Sequence, residues 1–404
     1  MLKTDRISFA LVLLVVFLDH AGMGLVYPIF SSMIFQQGSS FVFPDTTEMT
    51  KGLYFGLLLG VPACMSFISG PILGALSDQT GRKPMYIYSL LLALLGYGLC
   101  IGSIWIQSLF GLIIARAVTG FAAGNAAVVC ATIADLSNAQ NKIKNFGLYS
   151  MAAGTGFAVG PFIGGWFSQN GYMMPFLMAE IAMGLNLICI YFWFRETRTV
   201  TRRKPIKMAD GLRNLKKAFH IPSMRIFFIG AVFFCGGWSL FYEFMPVIWI
   251  SDYGLDATQV GLLFTVGAAV YALSAGLLIR PIVDRYAPLP ILFYSLVAMG
   301  CVILTLLLQP SMSWTWIAVI LVNFLVALAY PVYNATISNS VDADSQGEIL
   351  GIAESVQTAS FGLSPLLAGL MISWNIHTPL ALGGVFILAA ALLFKTSKIQ
   401  PPKS

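Results

Sequence analysis

The chain has 404 residues, of which 58% are hydrophobic and only 10% charged, with a formal net charge of +6. A soluble domain carries about 25% charged residues, so this composition excludes an ordinary water-soluble fold, and a mean hydropathy of +0.82 makes lipid the main solvent of the surface. The cations lie in short connections between apolar runs and form no basic face, which argues against a nucleic-acid partner.

Apolar runs recur along almost the whole chain, each long enough as a helix to cross a hydrocarbon core of roughly 30 Å. The alternation of a barrel strand is absent, and a spanning backbone must satisfy its own hydrogen bonds, so the runs are predicted to be helices. Twelve are predicted, at 7–35, 52–76, 85–104, 109–134, 145–167, 175–194, 225–250, 259–279, 290–308, 314–340, 348–373 and 379–395. Lys3 and Arg6 before the first run superficially suggest a signal peptide, but the run is too long and no small-residue cleavage site closes it. With both termini on the cytoplasmic side, inner segments hold 21 of the 23 Lys and Arg residues; Arg116 lies inside a span and only Lys51 falls outside. The longest polar stretch then divides the chain into an N-terminal bundle of six spans (1–194), a cytoplasmic linker (195–223) and a C-terminal bundle of six (224–404). Within the linker, 208–219 is expected to lie as a short amphipathic helix on the membrane surface.

In the first span, Leu18-Asp19-His20-Ala21-Gly22-Met23-Gly24-Leu25-Val26-Tyr27-Pro28 places Asp19 roughly 18 Å along the helix from Ile7, close to the bilayer midplane. A carboxylate there is tolerable when it carries a proton for part of a cycle. His20 lies about 100° away around the helix and is expected to be a packed or hydrogen-bonded residue. Between spans two and three, Gly74-Ala75-Leu76-Ser77-Asp78-Gln79-Thr80-Gly81-Arg82-Lys83-Pro84 combines a small residue at a helix contact, a tight turn at Gly81, and a carboxylate near two cations. The segment resembles the loop signature GxLaDrxGRkxxl of the major facilitator superfamily. That resemblance implies an all-α integral membrane protein with twelve transmembrane helices in two pseudo-symmetric six-helix bundles. It also implies a cytoplasmic gate made by Gly74, Asp78, Gly81, Arg82 and Lys83.

Arg116-Ala117-Val118-Thr119-Gly120 in span four is similar to the RxxxG motif of the proton-coupled branch. An intramembrane arginine costs at least about 2.5 kcal/mol, so it must face the bundle interior and find a partner. Two readings of Arg116 stand: a group engaged with a proton-carrying Asp19, and a permanent tie between helices. In span five, Gly156-Phe157-Ala158-Val159-Gly160-Pro161-Phe162-Ile163-Gly164-Gly165 spaces small residues by four, which lets another helix approach, while Pro161 bends the span. It resembles the antiporter signature gxxxGPxxGG. With the first-span pattern, it makes the chain similar to the tetracycline and multidrug exporters of the drug:proton antiporter branch.

Glu180 in span six and Glu243 in span seven are further deep carboxylates, each a candidate proton carrier or a helix-to-helix hydrogen-bonding group. Span seven is rich in aromatics, including Trp238 and Tyr242, while Asn323, Tyr330 and Asn334 in span ten and Gln357 in span eleven recur at helical spacing. With Asp19, Tyr27 and Asn125 they are expected to line the substrate cavity. Arg280-Pro281-Ile282-Val283-Asp284-Arg285 is a worn copy of the first loop motif and makes Asp284 a second gating candidate; Ser364, Pro365 and Gly369 answer Gly160, Pro161 and Gly165. Asp342, Asp344 and Glu348 are acidic residues on the otherwise basic inner side.

Six scattered cysteines and three histidines show no metal-ligand spacing, and neither GxSxG nor HExxH occurs. No catalytic residue, metal or cofactor is expected. The resulting expectation is a proton-coupled secondary transporter in a bacterial inner membrane, monomeric, working by alternating access on a small amphipathic or lipophilic compound. The alternative is a transporter of the same fold moving a metabolite or siderophore, outward or inward.

Overall fold

The computed structural model describes residues 3–43, 45–137, 142–198, 220, 224–283, 285–308, 311–338, 340 and 346–397. Among these no strand occurs, and the chain runs as α1 (Lys3–Phe35), α2 (Glu48–Thr80), α3 (Arg82–Trp105), α4 (Leu109–Ala123), α5 (Ala126–Asp135), α6 (Lys142–Ser168) and α7 (Met173–Trp193), followed by α8 (Arg225–Tyr253), α9 (Ala257–Leu273), α10 (Ile279–Val283), α11 (Pro288–Thr305), α12 (Met312–Ser338), α13 (Gln346–Met371) and α14 (Thr378–Thr396). Eleven spans among the described residues are long and apolar enough to cross a membrane, with α4 and α5 together forming one, Leu109–Asp135. The 26-residue α13 is the twelfth long helix. The all-α, multi-pass architecture expected from hydropathy is therefore present.

Two spans depart from simple rods. The fourth breaks at Gly124 and Asn125, where the backbone comes so close to α2 that a methyl group on Gly124 would overlap the Ser69 hydroxyl. The eighth passes through a π-turn at Ser274–Leu278 before α10, a local widening that absorbs one extra residue ahead of Pro281. The linker from 199 onward to 219, with its expected surface helix, lies outside the described residues, as do Asp284, Asp342 and Asp344, and nothing is described of the Glu348 side chain.

Contacts divide the chain into two units: Met1–Pro44 with Val61–Asp210 and Asp256–Leu262, and Asp45–Gly60 with Gly211–Leu255 and Leu263–Ser404. In the first unit α1 lies along α6, and α3 packs on α4 and α7. The α1–α6 seam is made by the glycines spaced by four: a methyl group at Gly156, Gly160 or Gly164 would overlap the carbonyl of Phe17, Ala21 or Leu25 respectively. Such backbone approach is what lets two helices associate where lipid offers no hydrophobic drive. Gly165 faces another way, toward Ala257 and Gly261. In the second unit α8 packs on α13 and α14, and α11 on α12 and α14. Its seams are also glycine-rich, with Gly52 and Gly56 of α2 set against the carbonyls of Gly369 and Pro365.

Candidate functional site

Three clusters bring the expected residues together. The first surrounds the α2–α3 turn. Gly81 takes φ +101°, a conformation open to glycine, and the next residue turns its side chain inward: Arg82 is only 2% exposed. Its guanidinium donates to Asp78 Oδ1 at 3.0 Å, to Asp135 Oδ2 at 2.9 Å and to Ser77 Oγ. Asp78 also accepts from Arg198 Nη1 at 2.6 Å. Glu196 closes the cluster from behind, accepting from the backbone N–H groups of Arg82 at 2.8 Å and Lys83 at 3.0 Å. A carboxylate at the start of α3 satisfies donors that the helix leaves open and complements its dipole. A side chain on Gly81 would collide with that carboxylate. Lys83 points elsewhere, its ammonium 5.9 Å from the centre of the Tyr191 ring. Gly74 sits farther up α2, where a methyl group would press on Ala127.

Asp78, Gly81 and Arg82 thus meet as the motif anticipates, and Asp135, Glu196 and Arg198 join them unannounced. Asp135 closes the fourth span and Glu196 is the first carboxylate after the seventh helix; in sequence, both are submerged in segments that read as span ends and topology signals. Beside them a polar cavity of about 270 Å³ is lined by Ser8, Asp135, Leu136, Arg195, Glu196 and Thr197.

The second cluster lies within the first unit's helices. Asp19 hydrogen-bonds the side chain of Asn125, which the α4–α5 break presents to α1. Arg116 is buried, donates to the Thr119 hydroxyl at 3.3 Å and lies 5.8 Å from the centre of the Phe30 ring. The Tyr97 hydroxyl occupies the space left open by the absent side chain of Gly22, one turn from Asp19. Gly120, the glycine of the RxxxG segment, lies against the backbone of Pro62. His20 bonds the Val16 carbonyl at 2.8 Å. Tyr27 is buried with its ring edge on Phe157. Glu180 reaches toward Gly98 of α3.

The third cluster is in the second unit. Tyr330 donates to Gln357 Oε1 at 2.6 Å, and Asn323 donates to the Val319 carbonyl at 2.9 Å. Glu243 is 3% exposed, accepts from the Ser239 hydroxyl at 3.1 Å, and its other oxygen has no hydrogen-bond partner. Trp238 and Tyr242 rings lie 5.3 Å apart, and Tyr242 continues into a narrow crevice with Phe241, Met245, Trp249, Phe264 and Asn323. Asn334 is partly exposed on α12.

Long apolar helices with charged groups set inside the spans and an ion-pair network at one helix turn define a polytopic membrane protein of the kind in which intramembrane polar groups mark solute pathways. The chain belongs to the Major Facilitator Superfamily, whose family model matches residues 12–365. It is 27% identical to a class H tetracycline resistance protein of Pasteurella multocida, over 91% of this chain and 90% of that one. It is also 27% identical to a class C tetracycline resistance protein of Escherichia coli, over 93% and 91%, and 23% identical to multidrug resistance protein 2 of Bacillus subtilis (strain 168), over 97% and 95%. In fold it is similar to a D-xylose-proton symporter, with a TM-score of 0.77 at 15% identity over 96% of this chain and 97% of that one. It is likewise similar to the human organic anion transporter MFSD10, with a TM-score of 0.71 at 17% identity over 96% and 99%.

Proposed function

We propose that this transporter is a proton-coupled antiporter that exports a small amphipathic or lipophilic compound by alternating access, with both termini in the cytoplasm of a bacterial cell and the protein monomeric in the inner membrane. The six-span bundles 1–194 and 224–404, joined by the linker 195–223, are the moving parts. The observation that carries this reading is the setting of Asp19: a carboxyl in mid-span, hydrogen-bonded to a neutral amide, on the helix that the gxxxGPxxGG segment grips along its length. A neutral partner suits a carboxyl that gains and loses a proton, whereas a fixed charge at that depth demands a permanent counter-ion. The loop cluster around Arg82 acts as the cytoplasmic latch, and the aromatic surfaces of α8 with Tyr330 and Gln357 receive the substrate.

The test uses everted membrane vesicles with tetracycline and ethidium as probes. Acidifying the lumen should drive uptake of at least one of them, and Asp19→Asn, which mimics the protonated carboxyl, should abolish that uptake while leaving probe binding in place. Gradient-driven uptake at the wild-type rate in Asp19→Asn sinks the assignment of Asp19.

A further inference from the structure

Four side chains around the α2–α3 turn form one row in which charge alternates. Arg198 Nη1 donates to Asp78 Oδ1 at 2.6 Å, Arg82 Nη1 donates to the same oxygen at 3.0 Å, and Arg82 Nε donates to Asp135 Oδ2 at 2.9 Å. The row therefore runs Arg198, Asp78, Arg82, Asp135, with a cation at one end and an anion at the other. Neighbouring charges are engaged elsewhere: Glu196 directs both oxygens at backbone N–H groups, those of Arg82, Lys83, Thr197 and Arg198, at between 2.8 and 3.1 Å. Lys83 lies over the Tyr191 ring, and Arg195 is exposed.

The three links of the row are not equivalent. Breaking either outer link leaves a single charge without its partner, whereas breaking the middle link divides the row into two complete ion pairs, Arg198 with Asp78 and Arg82 with Asp135. An uncompensated charge is the costly product when a buried pair is broken, so the middle link is the one that opens at least cost. Two features of the geometry favour the same place. Both guanidinium groups meet on one Asp78 oxygen, and their mutual repulsion is relieved when one leaves. Arg82 also has two separate edges: Nη1 faces Ser77 and Asp78 of α2, while Nε faces Asp135 of α5, so withdrawal of α2 frees one edge and leaves the other bound. The hinge for such a movement is Gly81, which lies between Asp78 and Arg82 with φ +101° and whose N–H bonds the Ser77 carbonyl at 3.1 Å.

Resting on the reading of this cluster as the cytoplasmic latch, we propose that the latch opens at the Asp78–Arg82 link and that Arg198 is the positioning residue that permits it, by keeping a counter-ion on Asp78 when Arg82 withdraws with Asp135. Glu196 holds Arg198 ready for that role. Its Oε1 accepts from the backbone N–H groups of Arg82 and Arg198 together, which ties the entry of the linker to the start of α3 while the Arg198 side chain follows Asp78. Arg198 and Asp78 are 30% and 29% exposed, so their pair can adjust as the turn moves, whereas Arg82 is enclosed. The linker thereby takes part in gating through its first residues.

The experiment measures amide hydrogen exchange at the α2–α3 turn of the full chain in lipid nanodiscs, beside gradient-driven ethidium uptake in everted vesicles. In Arg198→Gln the closed latch keeps Arg82 on Asp78, but opening strands the Asp78 carboxylate. Exchange of the Gly81 amide should therefore slow by about threefold to fivefold, the range of a part-exposed ion pair, and uptake should fall by a similar factor. Arg198→Lys keeps a cation and should stay within about twofold of wild type in both measurements. In an Asp78→Asn background, Arg198→Gln should leave exchange unchanged, because no carboxylate remains to be stranded. An arginine that merely braces the turn predicts the opposite sign, faster exchange on its removal. Faster or unchanged Gly81 exchange in Arg198→Gln overturns the proposal, and that sign decides alone should Asp78→Asn fail to fold. Slowed exchange with uptake at the wild-type rate supports the division of the row and overturns the latch reading.

Discussion

The two units bury polar groups in opposite styles. The first sets charges deep and gives each a designated neighbour: Arg82 between Asp78 and Asp135, Arg116 on Thr119 and the Phe30 ring, Asp19 on Asn125. The second buries rings. Phe227, Phe234, Tyr330, Tyr333 and Phe394 form one continuous aromatic cluster, and Glu243 lies buried with Ser239 as its hydrogen-bond partner. In lipid, a charge is tolerated only when its partner is fixed in geometry, whereas stacked rings tolerate small shifts. Under the proposed proton-coupled export, this contrast suits a division of labour in which the first unit senses protons and the second offers an adaptable surface to a greasy solute.

The sharpest way to break the comparison is at Arg82. Arg82→Ala leaves Asp78 and Asp135 facing each other without the cation that both touch, and removing one partner of a buried pair costs about 3–5 kcal/mol. Transport should be lost and the detergent-solubilised protein should melt at clearly lower temperature. Asp135→Asn, which keeps a hydrogen-bond acceptor for Arg82, should cost far less stability. Equal destabilisation by both would mean that the cluster holds the helices together by charge alone and has no latch to release.

The next largest effect is expected at the α1–α6 seam. Gly160→Ala forces a methyl group into the Ala21 carbonyl, and such overpacking costs roughly 1–3 kcal/mol. Gly154→Ala on the same helix meets nothing within 4 Å and should be neutral or slightly stabilising through helix propensity. Thermal melts of the two variants, with vesicle uptake alongside, measure this directly. Indistinguishable melts would show that the seam loosens freely and that the spacing of these glycines is incidental.

Much of this was legible in the chain. Hydropathy marked every span because the membrane imposes length and polarity on each helix separately, without regard to neighbours. The glycine spacing at 156, 160 and 164 announced a close helix contact, though which helix it met depended on tertiary packing. The α2–α3 turn was readable because Gly81, Asp78 and Arg82 are local to one another. Asp135, Glu196 and Arg198 were hidden because they reach the turn from distant segments, and a Lys/Arg-rich linker reads first as a topology signal. The Asn125 partner of Asp19 was hidden for another reason: it depends on the break at Gly124, which reorients the helix after Arg116.

The smallest expected effect bears most directly on the division between units. Glu243 shares with Asp19, the proposed proton site, a neutral hydrogen-bond partner and a place inside a long apolar helix, and it is itself buried. What it lacks is an assembled surrounding. Its second oxygen has no hydrogen-bond partner, and its bond is to Ser239 of its own helix, one turn away. A carboxyl that is neutral throughout the cycle can be replaced by an amide of the same shape at little cost, because the amide keeps an acceptor for Ser239 and carries no charge to desolvate. Glu243→Gln should therefore transport within about twofold of wild type and melt within about 1 kcal/mol of it, the range of a single exchanged neutral hydrogen bond. Gradient-driven uptake is the measurement, run beside Asp19→Asn in the same vesicles. Loss of coupling in Glu243→Gln together with its survival in Asp19→Asn would transfer proton sensing to the second unit and reverse the assignment drawn from the contrast between the two.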